Sequence, residues 1–212
     1  MNKAQTIPAT ARQTALLPVM EHFYTLQGEG VHQGRAAYFI RLGGCDVGCA
    51  WCDVKESWDA STHPLYPVAD LVSLAKETPA EIVVITGGEP LLHDLTDLTT
   101  ELRAAGLRVH METSGSSPMS GQLDWVTLSP KKFKAPLPEA VAAAHELKVV
   151  IFHPSDFLWA EQWAAQVGPD CRLFLQPEWD RADRSTPLII DYVKQHPQWR
   201  LSLQIHKYIN VP

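Results

Sequence analysis

From residue 36 onward, short apolar runs rich in β-branched and aromatic residues alternate with longer helix-like stretches. This alternation is typical of βα units, in which helices connect and cover parallel strands. The runs predicted to be strands are 37–42, 82–86, 107–112, 125–128, 147–151, 172–176 and 201–205. The sequence therefore predicts an α/β fold, an incomplete TIM-like parallel barrel of about six βα units.

The length of 212 residues suffices for one substantial core, and neither a linker nor an internal repeat divides the chain. We expect residues 1–20 to form a disordered tail and residues 21–212 to form a single domain. The net charge is -6 without a block of basic residues, which argues against nucleic acid as a partner. No apolar run approaches the ~18 residues of a membrane span, so we expect a cytoplasmic protein without a membrane partner.

Polar and glycine-rich clusters follow the predicted strands directly. They occupy residues 43–52, 86–90, 112–115, 129–131, 176–177 and 206–207. The carboxyl ends of parallel strands gather at one face of an α/β fold, where functional sites are built. The clusters are therefore expected to surround one cavity.

Cys45, Cys49 and Cys52 have the spacing C-x3-C-x2-C in a glycine-flanked loop, whereas Cys171 is far away in the chain. This is not the spacing of a disulfide framework, so we interpret the cysteines as thiolate ligands in a reducing compartment. Iron–sulfur clusters usually take four cysteines, and three would leave one iron open. A zinc site, completed in space by His63 or Cys171, and buried thiols without a metal are the alternatives.

The segment Thr86-Gly87-Gly88-Glu89-Pro90 follows the next predicted strand. Combined with the cysteine spacing, it resembles the radical S-adenosylmethionine superfamily, in which the open iron of a 4Fe-4S cluster is chelated by S-adenosylmethionine. Glycines allow the backbone to approach the methionine amine of the cofactor, and Glu89 can balance the charge of that amine.

Four further segments resemble the 7-carboxy-7-deazaguanine synthase family, and they are 24–30, 39–42, 129–131 and 201–208. The resemblance extends from about Glu21 to Pro212. It implies a radical carbon–nitrogen lyase that converts 6-carboxy-5,6,7,8-tetrahydropterin to 7-carboxy-7-deazaguanine with release of ammonia, in queuosine and 7-deazapurine biosynthesis. It also implies a homodimer and a reductant such as flavodoxin or ferredoxin.

The resemblance assigns roles residue by residue. Gln27 and Glu29 would bind the amide and amino edge of the pterin, and Arg41 would bind its carboxylate. The implied substrate-binding residues are Leu26, Gln27, Gly28, Glu29, Arg41, Thr86, His206 and Pro212, the last through its terminal carboxylate. The implied residues around S-adenosylmethionine are Trp51, Cys52, Asp53, Gly88, Glu89, Ser114, Ser129, Pro130, Lys131 and Gln176. No residue is assigned as a catalytic group, because the cofactor carries the radical.

Val54 departs from the family pattern. Thr or Ser commonly follows Cys-Asp there, and its hydroxyl joins a magnesium ion that bridges to the substrate. A valine side chain cannot coordinate a hard cation. The sequence therefore leaves open whether Mg²⁺ is a cofactor, bound through Asp53, a backbone carbonyl or water, or whether the reaction proceeds without it.

Two other functions remain as alternatives. A radical-generating activase has the same cysteine spacing and Gly-Gly-Glu segment but acts on a glycine of a partner protein, so it would not need Gln27, Glu29 and Arg41 around a small pterin. A non-catalytic module would use the cysteines to bind zinc, and its metal content would distinguish it.

Overall fold

The computed structural model describes residues 15–212. Nine strands form one sheet, in the spatial order β3-β1-β2-β4-β5-β6-β7-β8-β9. Their bounds are β1 Leu16–Leu26, β2 Ala36–Leu42, β3 Leu65–Pro67, β4 Ile82–Gly87, β5 Arg108–Thr113, β6 Trp125–Leu128, β7 Glu146–Ile151, β8 Arg172–Pro177 and β9 Trp199–Leu201. The helices are α1 Val68–Lys76, α2 Thr96–Ala104, α3 Pro138–Ala143, α4 Asp156–Ala164, α5 Ala182–Gln195 and α6 Ile205–Ile209.

The strands from β2 onward, except β3, are parallel, whereas β1 pairs antiparallel with both β2 and β3. The sheet does not close on itself, since β3 and β9 stand at its two edges. The predicted α/β fold with an incomplete parallel barrel is thereby confirmed.

Side chains alternate between the two faces of the sheet, as the two-residue period of a strand requires. Alternate apolar residues of each strand, such as Ile85 in β4, Met111 in β5 and Leu147 in β7, are fully buried against the helices. From α2, Leu98 and Leu102 pack into this core. The remaining positions, mostly polar from β5 to β7, point to the inner face and line the site described below.

The sequence-predicted tail extends too far. Residues 16–20 belong to β1, because the side chains of Leu17 and Val19 are buried in the core and the strand pairs with β2 and β3. Residues 1–14 lie outside the described part of the chain. The assignment of residues 21–212 to a single domain stays a prediction.

The strand predicted at 201–205 is also wrong in all but its first residue, because β9 ends at Leu201. The chain leaves the sheet after Leu201, and Ile205 begins α6. The reason is a change of hydrogen-bond partner, since the backbone N–H of Ile205 donates to the carbonyl of Gly28 at 3.0 Å instead of to β8. Within residues 15–212, no helix has the length and apolar character needed to cross a membrane.

Candidate active site

A cavity of about 330 Å³ lies on the inner face of the sheet, at the carboxyl ends of the parallel strands. This volume is in the usual range of small-molecule sites. All but two of the residues predicted from the sequence line it, and Val54 does as well. They are Leu26, Gln27, Gly28, Glu29, Arg41, Thr86, His206 and Pro212 from the predicted substrate side, and Cys45, Cys49, Trp51, Cys52, Asp53, Gly88, Ser114, Ser129, Lys131 and Gln176 from the predicted cofactor side.

The loop after β2 carries the three cysteines. Its backbone is held by residues that follow it in the chain: Gly44 N donates to Ser57 O at 2.6 Å, and Cys45 N donates to Trp58 O at 3.1 Å. The Sγ atoms of Cys45, Cys49 and Cys52 form no disulfide. The loop therefore presents three thiols to the cavity from one side.

Three cysteine thiols at one cavity are a donor set that an iron–sulfur cluster can use. Among the described residues, no three Cys, His, Asp or Glu side chains are grouped to bind one ion, as zinc would require. Cys171, the fourth cysteine, does not line the cavity. Burial raises the pKa of Cys49 to about 11 and also raises that of Cys45, so positive charge nearby would favour their ionised forms.

Gly88 brings the end of β4 into close contact with the cysteine loop. Gly88 N donates to Leu42 O at 3.1 Å, and Glu89 N donates to Gly44 O at 2.8 Å. A Cβ atom at residue 88 would lie 2.2 Å from the carbonyl oxygen of Gly44 and 2.7 Å from Cβ of Cys45. Any side chain here would displace the cysteine loop, so the site requires glycine at residue 88.

Glu89 and Pro130 are the two predicted cofactor residues that do not line the cavity. The Glu89 carboxylate is buried and fully engaged by the protein. Its Oε1 accepts from Leu91 N and Thr113 Oγ1, and its Oε2 accepts from the backbone N–H and the hydroxyl of Ser114. Glu89 therefore positions Ser114, which does line the cavity.

On the cofactor side, Lys131 lies between the cysteine loop and β6. Its Nζ donates to Ser129 Oγ at 2.5 Å and lies 5.4 Å from the ring centre of Trp51. Burial lowers the pKa of Lys131, and the nearby Cys49 opposes this shift. The lysine thus adds positive charge beside the thiols, where thiolates would be stabilised by it.

A buried charge cluster occupies the opposite side of the cavity. We define it as Glu29, Glu112, Glu146 and Lys148. The ammonium of Lys148 contacts the carboxylate of Glu29 and lies 3.0 Å from Oε2 of Glu112. Burial alone would lower the pKa of Lys148, but the three glutamates outweigh burial and raise it. Gln27 joins the cluster because its Nε2 donates to Glu112 Oε1 at 3.0 Å.

The β1–β2 loop that carries Gln27 and Glu29 is held by hydrogen bonds to β7 and to Ser202, the residue after β9. The N–H of Val31 donates to Glu146 Oε2 at 2.9 Å, and the N–H of Gly30 donates to Ser202 Oγ at 3.1 Å. Gly30 has a φ of +64°, and a Cβ atom there would lie 2.0 Å from Glu146 Oε1. Only glycine allows this approach, so the loop position depends on residue 30.

Below the charge cluster, a small internal cavity of about 10 Å³ separates it from the amino ends of the strands. His110 and Trp125 line it, and the His110 Nε2 and Trp125 Nε1 atoms are buried without a hydrogen-bond partner among residues 15–212. Burial, together with His32 and Arg108, lowers the pKa of His110 to about 3. Neutral rings therefore close this end of the site.

Arg41 lines the cavity as predicted, but it already has an anionic partner. Its Nε donates to Glu21 Oε1 at 2.6 Å, across the β1–β2 pair. The side chain of Glu21 is 43% exposed, so it holds one edge of the guanidinium from the solvent side. An arginine oriented in this way can still present its other nitrogens to a carboxylate in the cavity.

The C-terminal helix α6 covers the substrate side. The ring of His206 packs on Gly28, where an added Cβ atom would lie 2.0 Å from the ring Nδ1. Gln204 and Lys207 both donate to Asp53 Oδ2, at 3.3 and 2.7 Å. The helix therefore connects the β1–β2 loop with the cysteine loop.

Several residues of the site were not predicted from the sequence. They are Glu112, Lys148, Glu146, Gln204 and Lys207. Glu112 and Lys207 belong to polar clusters that were expected at the cavity, so their place at the site could have been predicted from the sequence. The sequence indicates Glu146 and Lys148 less clearly. They are two charged residues, two positions apart and therefore on the same face, in an otherwise apolar strand.

Comparison with known proteins identifies the family. The model of the radical SAM superfamily matches residues 39–153. The 7-carboxy-7-deazaguanine synthase of Flavobacterium psychrophilum is 56% identical over 197 residues, which cover 93% of both chains. The protein of the same name from Synechocystis is 49% identical over 204 residues, covering 96% of this chain and 98% of the relative.

The fold agrees with this relationship. The crystal structure of QueE from Escherichia coli superimposes with a TM-score of 0.79 at 33% identity, covering 89% of this chain and 93% of that one. Sequence and structure thus agree over most of the chain. The chain belongs to the 7-carboxy-7-deazaguanine synthase family of the radical SAM superfamily.

Proposed function

We propose that this protein is a 7-carboxy-7-deazaguanine synthase, which converts 6-carboxy-5,6,7,8-tetrahydropterin to 7-carboxy-7-deazaguanine and ammonia in queuosine and 7-deazapurine biosynthesis. One observation carries the proposal: a single cavity joins three thiols to a wall of amide and carboxylate acceptors formed by Gln27, Glu29 and Glu112. The names of the relatives support it. An activase acting on a protein glycine would not need these buried acceptors.

The cluster and S-adenosylmethionine, when bound, supply a carbon-centred radical that abstracts hydrogen from the substrate. Cys45, Cys49 and Cys52 would hold the cluster. Lys131 would favour ionised thiols beside it, since the lysine lies against Trp51 at the cysteine side of the cavity. These residues would position a reactive group whose chemistry the cofactor supplies.

The substrate would lie between the two sides of the cavity. Gln27 and Glu29 would bind the amide and amino edge of the pterin, because a carboxylate accepts hydrogen bonds and an amide both donates and accepts them. Arg41 would bind the carboxylate of the pterin, and Thr86 lies next to Arg41 across the β2–β4 pair. This arrangement would direct the carboxylate-bearing carbon toward the cysteine side.

The remaining predicted residues would complete the two subsites. Ser114, Ser129, Gln176 and Gly88 would contact S-adenosylmethionine, with Trp51 and Asp53 at its border. His206 and Pro212, with Leu26 and Gly28, would enclose the substrate and exclude water. Glu89 would act behind Ser114 and not on the cofactor itself.

A magnesium ion does not fit the residues at the cysteine loop. Val54 lines the cavity where a hydroxyl would be required, and Oδ2 of Asp53 is occupied by Lys207 and Gln204. Hard cations need oxygen ligands, and neither the side chain of Val54 nor Oδ2 of Asp53 is available as one. We therefore assign no step to magnesium.

Two further parts of the proposal concern the surroundings of the enzyme. A low-potential protein such as flavodoxin or ferredoxin would reduce the cluster, and the protein would act as a homodimer in the cytoplasm. The cysteines argue for a reducing compartment, because thiol ligands persist there.

Anaerobic turnover tests the proposed function. The iron–sulfur-reconstituted protein is supplied with dithionite, S-adenosylmethionine and 6-carboxy-5,6,7,8-tetrahydropterin, and 7-carboxy-7-deazaguanine is measured by mass. We expect product to form in step with consumption of the pterin. Cleavage of S-adenosylmethionine without this product would contradict the substrate assignment and favour the activase alternative.

A further inference from the structure

The buried ammonium of Lys148 has no role in the chemistry described above. Its side chain is 5% exposed, and those of its partners Glu29 and Glu112 are 12% and 22% exposed. A buried ion pair is a poor device for stability alone, since removing two charges from water costs about as much as their attraction returns. The position of the pair at the wall of the cavity points to a role in binding.

Lys148 itself lines the cavity and contacts both carboxylates there. Its Nζ binds Oε2 of Glu112 at 3.0 Å and Oε2 of Glu29, while Oε1 of Glu112 accepts from Gln27. Glu29, Glu112 and Gln27 all line the large cavity. One lysine therefore fixes the relative position of the two acidic residues that face a ligand.

The charge of Lys148 also determines what the carboxylates can accept. Burial alone would raise the pKa of Glu29, but Lys148, together with a hydrogen bond from Gln204 and the charge of His206, lowers the pKa below its ordinary value. An ionised carboxylate only accepts hydrogen bonds, whereas a protonated one can also donate. With Lys148 in place, the wall presents acceptors to the ligand.

Glu146 competes little for this charge below about pH 7. Burial raises its pKa to about 7, despite the nearby Lys148, and its Oε2 is used by the N–H of Val31. The third carboxylate of the cluster thus holds the β1–β2 loop, and the ammonium is left to Glu29 and Glu112.

We propose that Lys148 is a specificity-determining positioning residue, which holds Glu29 and Glu112 as paired acceptors and so selects a heterocycle with an amino group over one with a carbonyl at the same place. The inference rests on the proposed function. The pterin carries an amino group on its pyrimidinone ring, and the corresponding lumazine carries an oxo group there. A carbonyl oxygen would face carboxylate oxygens without a proton between them.

The expected discrimination is large. Sites built to bind an N–H reject an analogue that lacks it by about 10⁴-fold in kcat/KM, because buried polar groups are left unpaired. Loss of Lys148 should reduce this ratio by about 100-fold, since one carboxylate can then take up a proton and donate to an oxo group.

The test compares 6-carboxy-5,6,7,8-tetrahydropterin with 6-carboxy-5,6,7,8-tetrahydrolumazine in the reconstituted holoenzyme. The variants are Lys148→Met, which keeps length without charge, and Lys148→Arg, which keeps charge. Lys132→Met, in which the altered lysine pairs with Asp156 outside the cavity, is the matched control. Thermal unfolding and uncoupled cleavage of S-adenosylmethionine confirm that each variant is folded and carries its cluster.

We expect Lys148→Met to raise KM for the pterin and to lower the pterin-to-lumazine ratio of kcat/KM. Lys148→Arg should retain most of this ratio, and Lys132→Met should leave it unchanged. An equal loss for both compounds, with the ratio intact, would show that Lys148 is merely structural and overturn the proposal. If Lys148→Met does not fold, Glu112→Gln replaces one acceptor by a group that can donate. It should shift preference toward the lumazine, and an unchanged ratio would overturn the proposal as well.

The same experiment tests the proposed function separately, through the amount of product that the unaltered enzyme forms from the pterin. Product formation from the pterin by the unaltered enzyme supports the function whatever Lys148 does. Absence of that product from an enzyme with an intact cluster would reject the function and, with it, the inference.

Discussion

The Lys207 ammonium lies 2.7 Å from Oδ2 of Asp53 and thereby joins the C-terminal helix to the residue that follows the last cluster cysteine. Lys207 also lies 4.7 Å from the ring centre of Trp179, which borders the cavity. The helix carries His206 against Gly28 on the substrate side. A single ion pair therefore couples the position of the cysteine loop to closure of the substrate side.

Lys207→Met is expected to lower kcat/KM for the pterin about tenfold or more, because α6 would be less firmly held over the site. Its effect on unfolding should be small, since partly exposed ion pairs contribute about 0–1 kcal/mol. Steady-state kinetics and thermal unfolding measure the two effects. Lys194→Met, at an exposed position of α5, is the control. Equal kinetics in both variants would contradict the coupling.

Val54 leads to a prediction about magnesium. Because the side chain at residue 54 offers no oxygen, turnover by the unaltered enzyme should change less than about twofold when magnesium is added after chelation. Val54→Thr restores a hydroxyl at the cavity wall and is expected to make turnover respond to magnesium. Val54→Ala removes bulk without adding a ligand and should not respond. A strong magnesium requirement in the unaltered enzyme would show that other ligands are recruited.

Most of the fold could be predicted from the sequence because each central strand is a short apolar run that can be recognised by itself. Ile82–Gly87 is apolar on both faces, as a strand covered from both sides must be, and its end is marked by a polar cluster. The strand Leu16–Leu26 escaped detection, since Pro18 and the polar residues from Glu21 onward break the apolar pattern. Its place is determined by pairing with β2 and β3, which is tertiary information.

The part of the site that could be predicted is the part in which the functional residues form a motif with a fixed spacing along the chain. The three cysteines and the Gly-Gly-Glu-Pro segment can be recognised from their spacing in the sequence. The ion-pair partners of a lysine in a buried strand cannot be recognised in this way. Lys148 meets Glu29 from a loop 119 positions earlier in the chain. Glu89 illustrates the reverse case, because its motif indicated a cofactor contact and its carboxylate is used up by Thr113 and Ser114. Which side chains pair in the folded protein depends on strand register and on loop position. Neither can be read from the residues next to each partner in the sequence.

Glu89→Gln is expected to destabilise the protein by about 2–3 kcal/mol, because the amide replaces an acceptor oxygen by a donor facing other donors in a buried place. It should also raise KM for S-adenosylmethionine, since Ser114 would be displaced. Thr113→Val removes the donor to Glu89 Oε1 and the acceptor of the Gly115 N–H, and it should cost about 1–2 kcal/mol with little change in that KM. Urea unfolding and cofactor kinetics measure these effects. A Glu89→Gln variant with parental stability would be inconsistent with the buried network.

Glu146 determines a pH dependence of stability. Lys148, Glu29, Glu112 and Cys171 are the ionisable groups that influence Glu146, and burial raises its pKa to about 7 in the fold against an ordinary value of 4.5. The folded protein holds this proton more tightly than the unfolded chain does. Its contribution, about 3 kcal/mol, is therefore fully present below pH 4.5 and is lost as the pH rises through about 7.

Glu146→Gln keeps an acceptor for the N–H of Val31 but cannot ionise. The variant should match the parent in unfolding free energy near pH 4.5 and exceed it by about 2–3 kcal/mol at pH 8.5. Urea unfolding at the two pH values measures the difference, and the exposed Glu77→Gln serves as a control that should show no such trend. If the difference between Glu146→Gln and the parent is independent of pH, Glu146 does not bind its proton more tightly in the folded protein. The ammonium of Lys148 would then be shared among three ionised carboxylates at neutral pH, and Glu146 would compete with Glu29 and Glu112 for it.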